Sequence, residues 1–136
     1  ALKKYQGSTL TEQQQAEGLK DLVAFMTKTK PYLDSDLTIT DLAEQMSLPS
    51  RHLSQIINGC LGQNFLDFVN SYRVEEARRH LEDPASQLSI LGIAMELGFN
   101  SKSAVYNAFK RHVRQTPTNY RQSNAAARAS DLQTKS

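Results

Sequence analysis

Apolar residues along most of this chain recur three or four positions apart, which is the spacing of one face of an α-helix. The first such run extends from about Glu12 to Lys30, where Pro31 stops it. A longer run, from about Asn64 to Leu81, ends before Asp83-Pro84. No stretch alternates apolar and polar residues as a half-buried strand would. The pattern therefore predicts an all-α fold.

Residues able to cap helices predict shorter helices between and after these runs. Thr38, followed by Asp41 three residues later, is typical of a capping box and predicts a helix through Met46. Asn58-Gly59 is a stop signal for a helix that begins at Ser50. The remaining helices are predicted over residues 89–97 and 101–113, with a short last one from Thr116-Pro117.

A degenerate repeat relates two of these regions. The order Leu-Ala-Glu-Gln-Met-Ser-Leu at 42–48 recurs in pattern as Ile-Ala-Met-Glu-Leu-Gly-Phe at 93–99, an offset of 51 residues. In the helix that follows each copy, Leu53 corresponds to Val105 at an offset of 52. Each copy consists of a helix, a short polar turn and a second amphipathic helix. Two such helix-turn-helix units predict contact with two adjacent stretches of a DNA major groove.

Charge is distributed unevenly along the 136 residues, although the formal net charge is only +2. Residues 101–136 carry seven basic side chains and one acidic one, so the remainder of the chain is acidic on balance. This asymmetry would suit a basic surface that binds a polyanion, and a basic tail that is merely solvated would produce it equally well. Charge alone leaves both interpretations open.

Composition excludes several classes of protein. With 39% hydrophobic and 22% charged residues the chain is an ordinary globular one. We expect no membrane insertion, because no apolar run approaches the roughly 18 residues that a span requires and no signal-peptide pattern opens the chain. A lone cysteine, Cys60, excludes an internal disulfide and fits a reducing compartment. The missing initial Met leads us to expect a fragment of a longer protein.

These patterns predict five segments. They are a flexible lead-in over 1–12, a first helix-turn-helix subdomain over 13–63, a linker helix over 64–82, a second helix-turn-helix subdomain over 83–122 and a disordered tail over 123–136. The tail is rich in Ala, Ser and Arg and has no apolar face, which is the reason for predicting disorder there.

The second unit carries a recognisable order of residues. The segment Gly-Phe-Asn-Ser-Lys-Ser-Ala-Val-Tyr-Asn-Ala-Phe-Lys-Arg-His at 98–112, followed by Thr116-Pro117 and Tyr120-Arg121, resembles the signature of the AraC/XylS family of bacterial transcription regulators. Matches to its first unit and linker helix are found at Asp41-Leu42-Ala43, His52-Leu53, Gly62 and residues 73–78. The resemblance covers about residues 33–121. It implies about seven helices, arranged as two helix-turn-helix subdomains joined by a linker helix.

The sequence departs from the family pattern at two helix boundaries. Arg114 stands where a Gly is frequent at the end of the second recognition helix, so this residue is expected to accept either a different helix ending or some strain, while it adds a charge for phosphate. Pro49-Ser50 opens the first recognition helix, where a Ser or Thr cap before Pro is commoner. That departure leaves the starting residue of the helix open, although Pro is well tolerated in a first turn.

The resemblance implies which residues would read bases. The N-terminal residues and one polar face of a recognition helix contact base edges, with Arg suited to guanine and Gln or Asn to adenine. The polar face of the first recognition helix also includes Asn58. The expected base-reading residues are Arg51, Ser54 and Gln55 in the first unit and Lys102, Ser103, Tyr106 and Asn107 in the second.

Phosphate contacts are expected from a second set of residues. They are Ser50 and Ser101 at the recognition-helix starts, together with Arg73, Lys110, Arg111 and Arg121. With about six neutralised phosphates, the slope of log affinity against log salt would be near −5. Arg78 and Arg79 are expected instead to be solvated or to pair with Glu75 and Glu82.

No constellation suited to catalysis or to a cofactor is found. His52, His80 and His112 are scattered, Cys60 has no partner at metal-ligand spacing, and neither a Gly-rich phosphate loop nor a carboxylate pair occurs. We therefore expect neither an enzyme nor a bound metal or cofactor. The alternative to a DNA-binding regulator is an all-α protein-interaction module without direct DNA readout.

The expected partners follow from the DNA-binding interpretation. They are double-stranded DNA, RNA polymerase, and an N-terminal sensory or dimerisation domain that this chain lacks. The expected location is the cytoplasm, at the nucleoid. The details of the Lys30-Pro31-Tyr32-Leu33 lead-in and of the turn at 100–103 resemble members whose N-terminal half is membrane-embedded, which would anchor the full-length protein.

Overall fold

The computed structural model of the chain describes residues 9–135, which form seven α-helices, a short 3₁₀ turn and no strand. The helices are α1 (Glu12–Thr29), α2 (Ile39–Gln45), α3 (Ser50–Leu61), α4 (Phe65–Glu82), α5 (Ile90–Leu97), α6 (Lys102–Val113) and α7 (Pro117–Lys135), and the 3₁₀ turn (Pro31–Leu33) follows α1. The predicted all-α fold of about seven helices is confirmed. Most of the predicted lead-in, residues 1–8, lies outside the described residues.

Hydroxyl side chains cap the N-termini of five helices, among them α7, where Thr116 Oγ1 accepts from the N–H of Asn119 at 3.1 Å. Thr38 and Asp41 form the predicted capping box of α2, and Thr11 forms one with Gln14 at α1. Ser89 and Ser101 each accept a hydrogen bond from the backbone N–H three residues ahead, at the starts of α5 and α6. Each bond pairs a donor that the first helical turn would otherwise leave unsatisfied.

The C-terminal ends of the recognition helices both use a left-handed residue. Gly62 (φ 61°) ends α3 and donates its N–H to the Asn58 carbonyl at 3.0 Å. The predicted stop at Asn58-Gly59 was wrong, because Gly59 continues the helix and Gly62 makes the turn. Arg114 (φ 68°) ends α6 in the same way, so of the two outcomes expected there the strained ending is the one found. Such a conformation costs a non-Gly residue roughly 1–2 kcal/mol.

The helices form two compact units, one up to Val69 and one from Asn70 onward, so the division falls inside α4. The core of the first unit is formed by buried apolar side chains of α1, α2, α3 and the start of α4. Where α1 packs on α3, Gly18 lies against Ile56, and an added Cβ would lie only 2.5 Å from Ile56 Cδ1. A larger residue at position 18 would therefore force the buried Ile56 side chain to move.

The second unit has its own core. It contains Val74, Ala77, Leu81, Ile93, Ala94, Leu97, Phe99, Val105, Ala108, Phe109 and Tyr120. The rings of Phe109 and Tyr120 pack edge to face with centroids 5.2 Å apart, which joins α6 to α7. Tyr120 also donates its hydroxyl hydrogen to Glu82 Oε2 at the end of α4.

The last helix is longer than predicted. Residues 123–135, predicted as a disordered tail, continue α7 to Lys135. Arg128 donates to the carbonyl of Glu82 at 2.7 Å, and Asn124 donates to the carbonyl of Tyr120 at 2.8 Å. The prediction failed because the Arg128 bond ties this segment to the end of α4, and a polar bond between such distant residues leaves no apolar pattern in the sequence.

Candidate nucleic-acid interface

A polar stripe runs along α3. Arg51, Ser54, Gln55 and Asn58 follow the spacing i, i+3, i+4, i+7, which places them on one helix face. Arg51 and Asn58 are exposed, and Ser54 and Gln55 are half-buried. The opposite face, with Leu53, Ile56 and Ile57, is buried in the first unit. The amphipathic character of α3 therefore orients its polar stripe outward.

Members of the α3 stripe also form hydrogen bonds within the protein. Ser54 Oγ accepts a hydrogen bond from Asn58 Nδ2 at 3.1 Å. Gln55 Oε1 accepts one from the backbone N–H of Leu10 at 3.4 Å, which joins α3 to the segment before α1. The side chain next to this stripe, His52, is fully buried, so it belongs to the core and is not available to contact DNA.

A matching stripe runs along α6. Ser103, Asn107 and Lys110 follow the spacing i, i+4, i+7 and are all exposed, as is Lys102 at the helix start. Val105, Ala108 and Phe109 are buried beneath them. The structure thus places Lys102, Ser103 and Asn107, three of the four predicted base-reading residues of the second unit, at exposed positions of α6.

Tyr106 lies beside this stripe and is half-buried. Its hydroxyl is 3.0 Å from Thr118 Oγ1 on the first turn of α7. Thr118 was not predicted from the sequence, because it lies twelve positions after Tyr106 and no local pattern indicates that the two side chains meet. The hydrogen bond limits the positions available to the Tyr106 ring.

The two serines expected to contact phosphate have different surroundings. Ser101 uses its hydroxyl to cap α6 through the N–H of Ala104, at 3.1 Å. Ser50 is the first residue of α3, and its N-cap Pro49 makes no side-chain capping bond. The start of α3 is therefore not capped by a side chain, in contrast to the start of α6.

Among the four expected phosphate-binding cations, Lys110 and Arg111 are exposed. Arg73 is instead buried, with 6% of its surface accessible. It donates to Asn70 Oδ1 at 3.0 Å and its guanidinium lies 6.0 Å from the centre of the Phe99 ring. The expectation that Arg73 contacts phosphate is corrected accordingly, since its charge is held inside the second unit.

Arg121 also has a structural partner. It is half-buried and donates to the carbonyl of Leu88 at 2.7 Å, in the connection between α4 and α5. A guanidinium has further N–H groups, but this bond holds the side chain against the protein. Arg121 is therefore removed from the set of exposed phosphate-binding cations.

Arg78 pairs on the surface of the second unit as predicted. It lies 3.0 Å from Glu75 Oε1 and 3.9 Å from Glu82 Oε2. Its Nε donates to the Tyr120 hydroxyl at 3.2 Å, and this bond and the one to Glu75 raise the pKa of the guanidinium. Arg79 pairs with Glu76 at 3.1 Å, and not with Glu75 or Glu82. Arg78 thus joins α4 to Tyr120, and both arginines lie outside the polar stripes of α3 and α6.

Residues 9–135 contain no cluster of His, Cys, Asp or Glu suited to hold a metal ion. In the same part of the chain, none of the helices has the length and apolar character needed to cross a membrane.

Two helix-turn-helix units, each with an outward polar stripe on its second helix, define the class of this protein as a double helix-turn-helix domain. The helix-turn-helix domain family matches residues 42–123, which is more than half of the chain. The chain belongs to this family. It shares its fold with an AraC-type transcriptional regulator from Chromobacterium violaceum, with a TM-score of 0.65 at 21% identity, covering 80% of this chain and 96% of that one.

Curated relatives support the same placement. The chain is 36% identical over 100 residues to the HTH-type transcriptional regulator GlxA of Rhizobium meliloti, a match that covers 74% of this chain and 30% of that protein. It is 32% identical over 90 residues to an uncharacterized HTH-type transcriptional regulator of Staphylococcus aureus, covering 66% of this chain and 12% of the relative. The chain thus spans less than a third of the length of either relative.

Solved structures share the fold. The DNA-binding domain of AdpA, a global transcriptional factor solved in complex with a target DNA, superposes with a TM-score of 0.67 at 26% identity, covering 82% of this chain and 96% of that one. The C-terminal domain of AraT, a response regulator from Geobacillus stearothermophilus, has a TM-score of 0.65 at 27% identity, covering 77% of this chain and 84% of that one.

Proposed function

We infer that this chain binds double-stranded DNA in a sequence-specific manner and thereby regulates transcription, with α3 and α6 lying in adjacent major grooves. DNA binding and transcription regulation are the functions to which its family membership and its relatives point. The observation that carries the finer proposal is the pair of outward polar stripes. Each has an exposed cation in the first turn of its helix, Arg51 in α3 and Lys102 in α6.

The chemistry of these stripes suits base edges. The major groove is about 12 Å wide and admits an α-helix. Arg51 and Lys102 can donate to O6 and N7 of guanine, while the amide of Asn107 can pair with both N6 and N7 of adenine. Ser54, Ser103 and Tyr106 contribute shorter or more restricted contacts beside them. Lys110, Arg111 and the backbone donors at the α3 start, including Ser50, are assigned to phosphates.

The wider setting is proposed from the same inference. The chain acts without catalysis, as one domain of a longer regulator whose N-terminal part senses a signal or mediates dimerisation. RNA polymerase is a candidate partner, and the cytoplasm is the compartment in which such a domain meets DNA.

A second function, as a protein-interaction module, has one supporting observation. Leu91 and Met95 stand one helical turn apart on α5 and are 54% and 77% exposed. Adjacent exposed apolar side chains are typical of protein-contact surfaces. This function would leave the polar stripes of α3 and α6 without a role.

The deciding experiment compares Arg51→Ala and Lys102→Ala with the unmodified chain. DNA enriched from a randomised duplex pool at about 150 mM salt serves as the ligand, and affinity is measured by fluorescence anisotropy. Each variant should weaken binding about tenfold or more, since a good base contact contributes roughly 1–3 kcal/mol. Circular dichroism should show unchanged folding, because both side chains are exposed.

Arg79→Ala is the matched control, since Arg79 is an exposed arginine paired with Glu76 on α4. Its affinity should stay close to that of the unmodified chain. Unchanged affinity for Arg51→Ala and Lys102→Ala would favour the protein-interaction module instead.

A further inference from the structure

Both backbone polar groups of Leu10 are held by glutamine side chains. Its N–H donates to Gln55 Oε1 at 3.4 Å, and its carbonyl accepts from Gln15 Nε2 at 3.3 Å. The side chain of Leu10 is buried, and the next residue, Thr11, caps α1. The Leu10 peptide is therefore positioned beside the polar stripe of α3, with a defined direction for its N–H.

This hydrogen bond determines which end of the Gln55 amide faces the protein. A backbone N–H can only donate, so its partner must be the amide oxygen and not the amide nitrogen. The two atoms diverge from the same carbon, so an oxygen turned toward Leu10 leaves the NH₂ group as the end available to a base. The Leu10 backbone thus presents Gln55 as a donor.

A glutamine that pairs with adenine uses both ends of its amide, accepting from N6 and donating to N7. With Oε1 bonded to Leu10, one of its two lone pairs is used, so an adenine contact would have to share this oxygen. Guanine offers two acceptors to the NH₂ group, O6 and N7, whereas adenine offers only N7 beside its N6 donor. Thymine offers O4, and cytosine presents only a donor in the major groove.

We propose that Gln55 is a specificity-determining residue that selects a base with an acceptor edge, guanine before thymine, and that Leu10 is the positioning residue that sets this choice through its backbone N–H. This assignment replaces the adenine contact that the sequence suggested for Gln55. It depends on the proposed function of α3 as a recognition helix.

The test begins with selection of bound DNA from a randomised duplex pool by the 136-residue chain, in parallel with Gln55→Ala. The position at which Gln55→Ala loses base preference is the one that Gln55 reads. There the unmodified chain should enrich guanine over adenine about fivefold or more. Enrichment of adenine or cytosine at that position would overturn the proposal. So would a selected motif that Gln55→Ala leaves unchanged.

Two variants of Leu10 then test whether its backbone N–H is what orients the Gln55 amide. Leu10→Ala and Leu10→Pro both lose the buried side chain, but only Leu10→Pro lacks the N–H. If the N–H orients Gln55, the guanine-to-adenine preference should fall at least threefold further in Leu10→Pro than in Leu10→Ala. Equal preferences in the two folded variants would overturn the role of Leu10. If Leu10→Pro fails to fold by circular dichroism, the base selected by the unmodified chain still decides the proposal.

The same selection separates failure of this inference from failure of the proposed function. A chain that enriches no motif at all contradicts sequence-specific binding. A chain that enriches a motif with adenine at the Gln55 position retains that function and contradicts only the inference.

Discussion

At the scale of single residues, the second unit depends on the buried ring of Phe109. This side chain has no accessible surface and packs edge to face against Tyr120. Phe109→Ala should lower the free energy of unfolding by about 3–5 kcal/mol, because it removes a large buried ring and leaves a cavity. Urea denaturation followed by circular dichroism measures the change.

Asn107→Ala is the control for that measurement, since Asn107 is exposed on the same helix. It should unfold at the same urea concentration as the unmodified chain while losing DNA affinity. A denaturation midpoint for Phe109→Ala equal to that of the control would contradict the burial of Phe109.

The hydrogen bond between Tyr106 and Thr118 makes a separate prediction. Thr118 is exposed, so Thr118→Val removes its hydroxyl with little effect on the fold. Loss of one ordinary hydrogen bond, worth about 1 kcal/mol, should weaken DNA binding about fivefold if the bond positions Tyr106 against a base.

Thr118→Ser keeps the hydroxyl and should restore most of the affinity. The double variant Tyr106→Phe/Thr118→Val should bind DNA no more weakly than Tyr106→Phe alone, because the two changes break the same hydrogen bond. Full additivity in this double-mutant cycle would argue against coupling between the two residues.

At the scale of elements, a variant that disturbs the packing of α1 on α3 should lower both the stability of the first unit and its affinity for DNA. Gly18→Leu would add a Cβ 2.5 Å from Ile56 Cδ1, which is closer than van der Waals contact allows. Overpacking of this kind costs about 1–3 kcal/mol, and the displaced α3 should bind DNA more weakly.

Ala16→Leu introduces the same side chain at an exposed position of the same helix. Its thermal unfolding and DNA affinity should match those of the unmodified chain. A Gly18→Leu variant as stable as Ala16→Leu would mean that α1 and α3 separate at little cost.

Elements also show where sequence patterns predict structure and where they do not. The starts of α2 and α6 were predicted from Thr38 and Ser101, because a hydroxyl cap bonds a backbone donor only three residues away. The extent of α7 was not predicted, because Arg128 bonds a carbonyl 46 residues earlier in the chain. Hydrogen bonds between residues close together in the chain can be predicted from the sequence pattern, whereas bonds between distant residues cannot.

At the scale of the whole molecule, DNA affinity should fall with salt according to the number of phosphates that the chain neutralises. Arg73 and Arg121 are held by bonds within the second unit, so two of the six phosphate contacts expected from the sequence are lost. The remaining four give a log-log slope of about −4, shallower than the −5 expected for six.

The slope is obtained from fluorescence anisotropy titrations between about 50 and 200 mM salt, the range in which counterion release dominates. Lys110→Ala should make it shallower by about one, while Arg79→Ala should leave it unchanged. A slope that Lys110→Ala does not alter would remove Lys110 from the phosphate-contacting set.

The sequence by itself determined the all-α class, the repeated helix-turn-helix pattern and the outward stripes of α3 and α6. These properties depend on helical periodicity and short-range caps, which are set within a few residues. Only the tertiary structure decided that Arg73 is buried against Phe99, that Gln55 turns its oxygen toward Leu10 and that Thr118 meets Tyr106. In each case the partner comes from another part of the chain, so its position depends on how the helices pack and cannot be derived from periodicity.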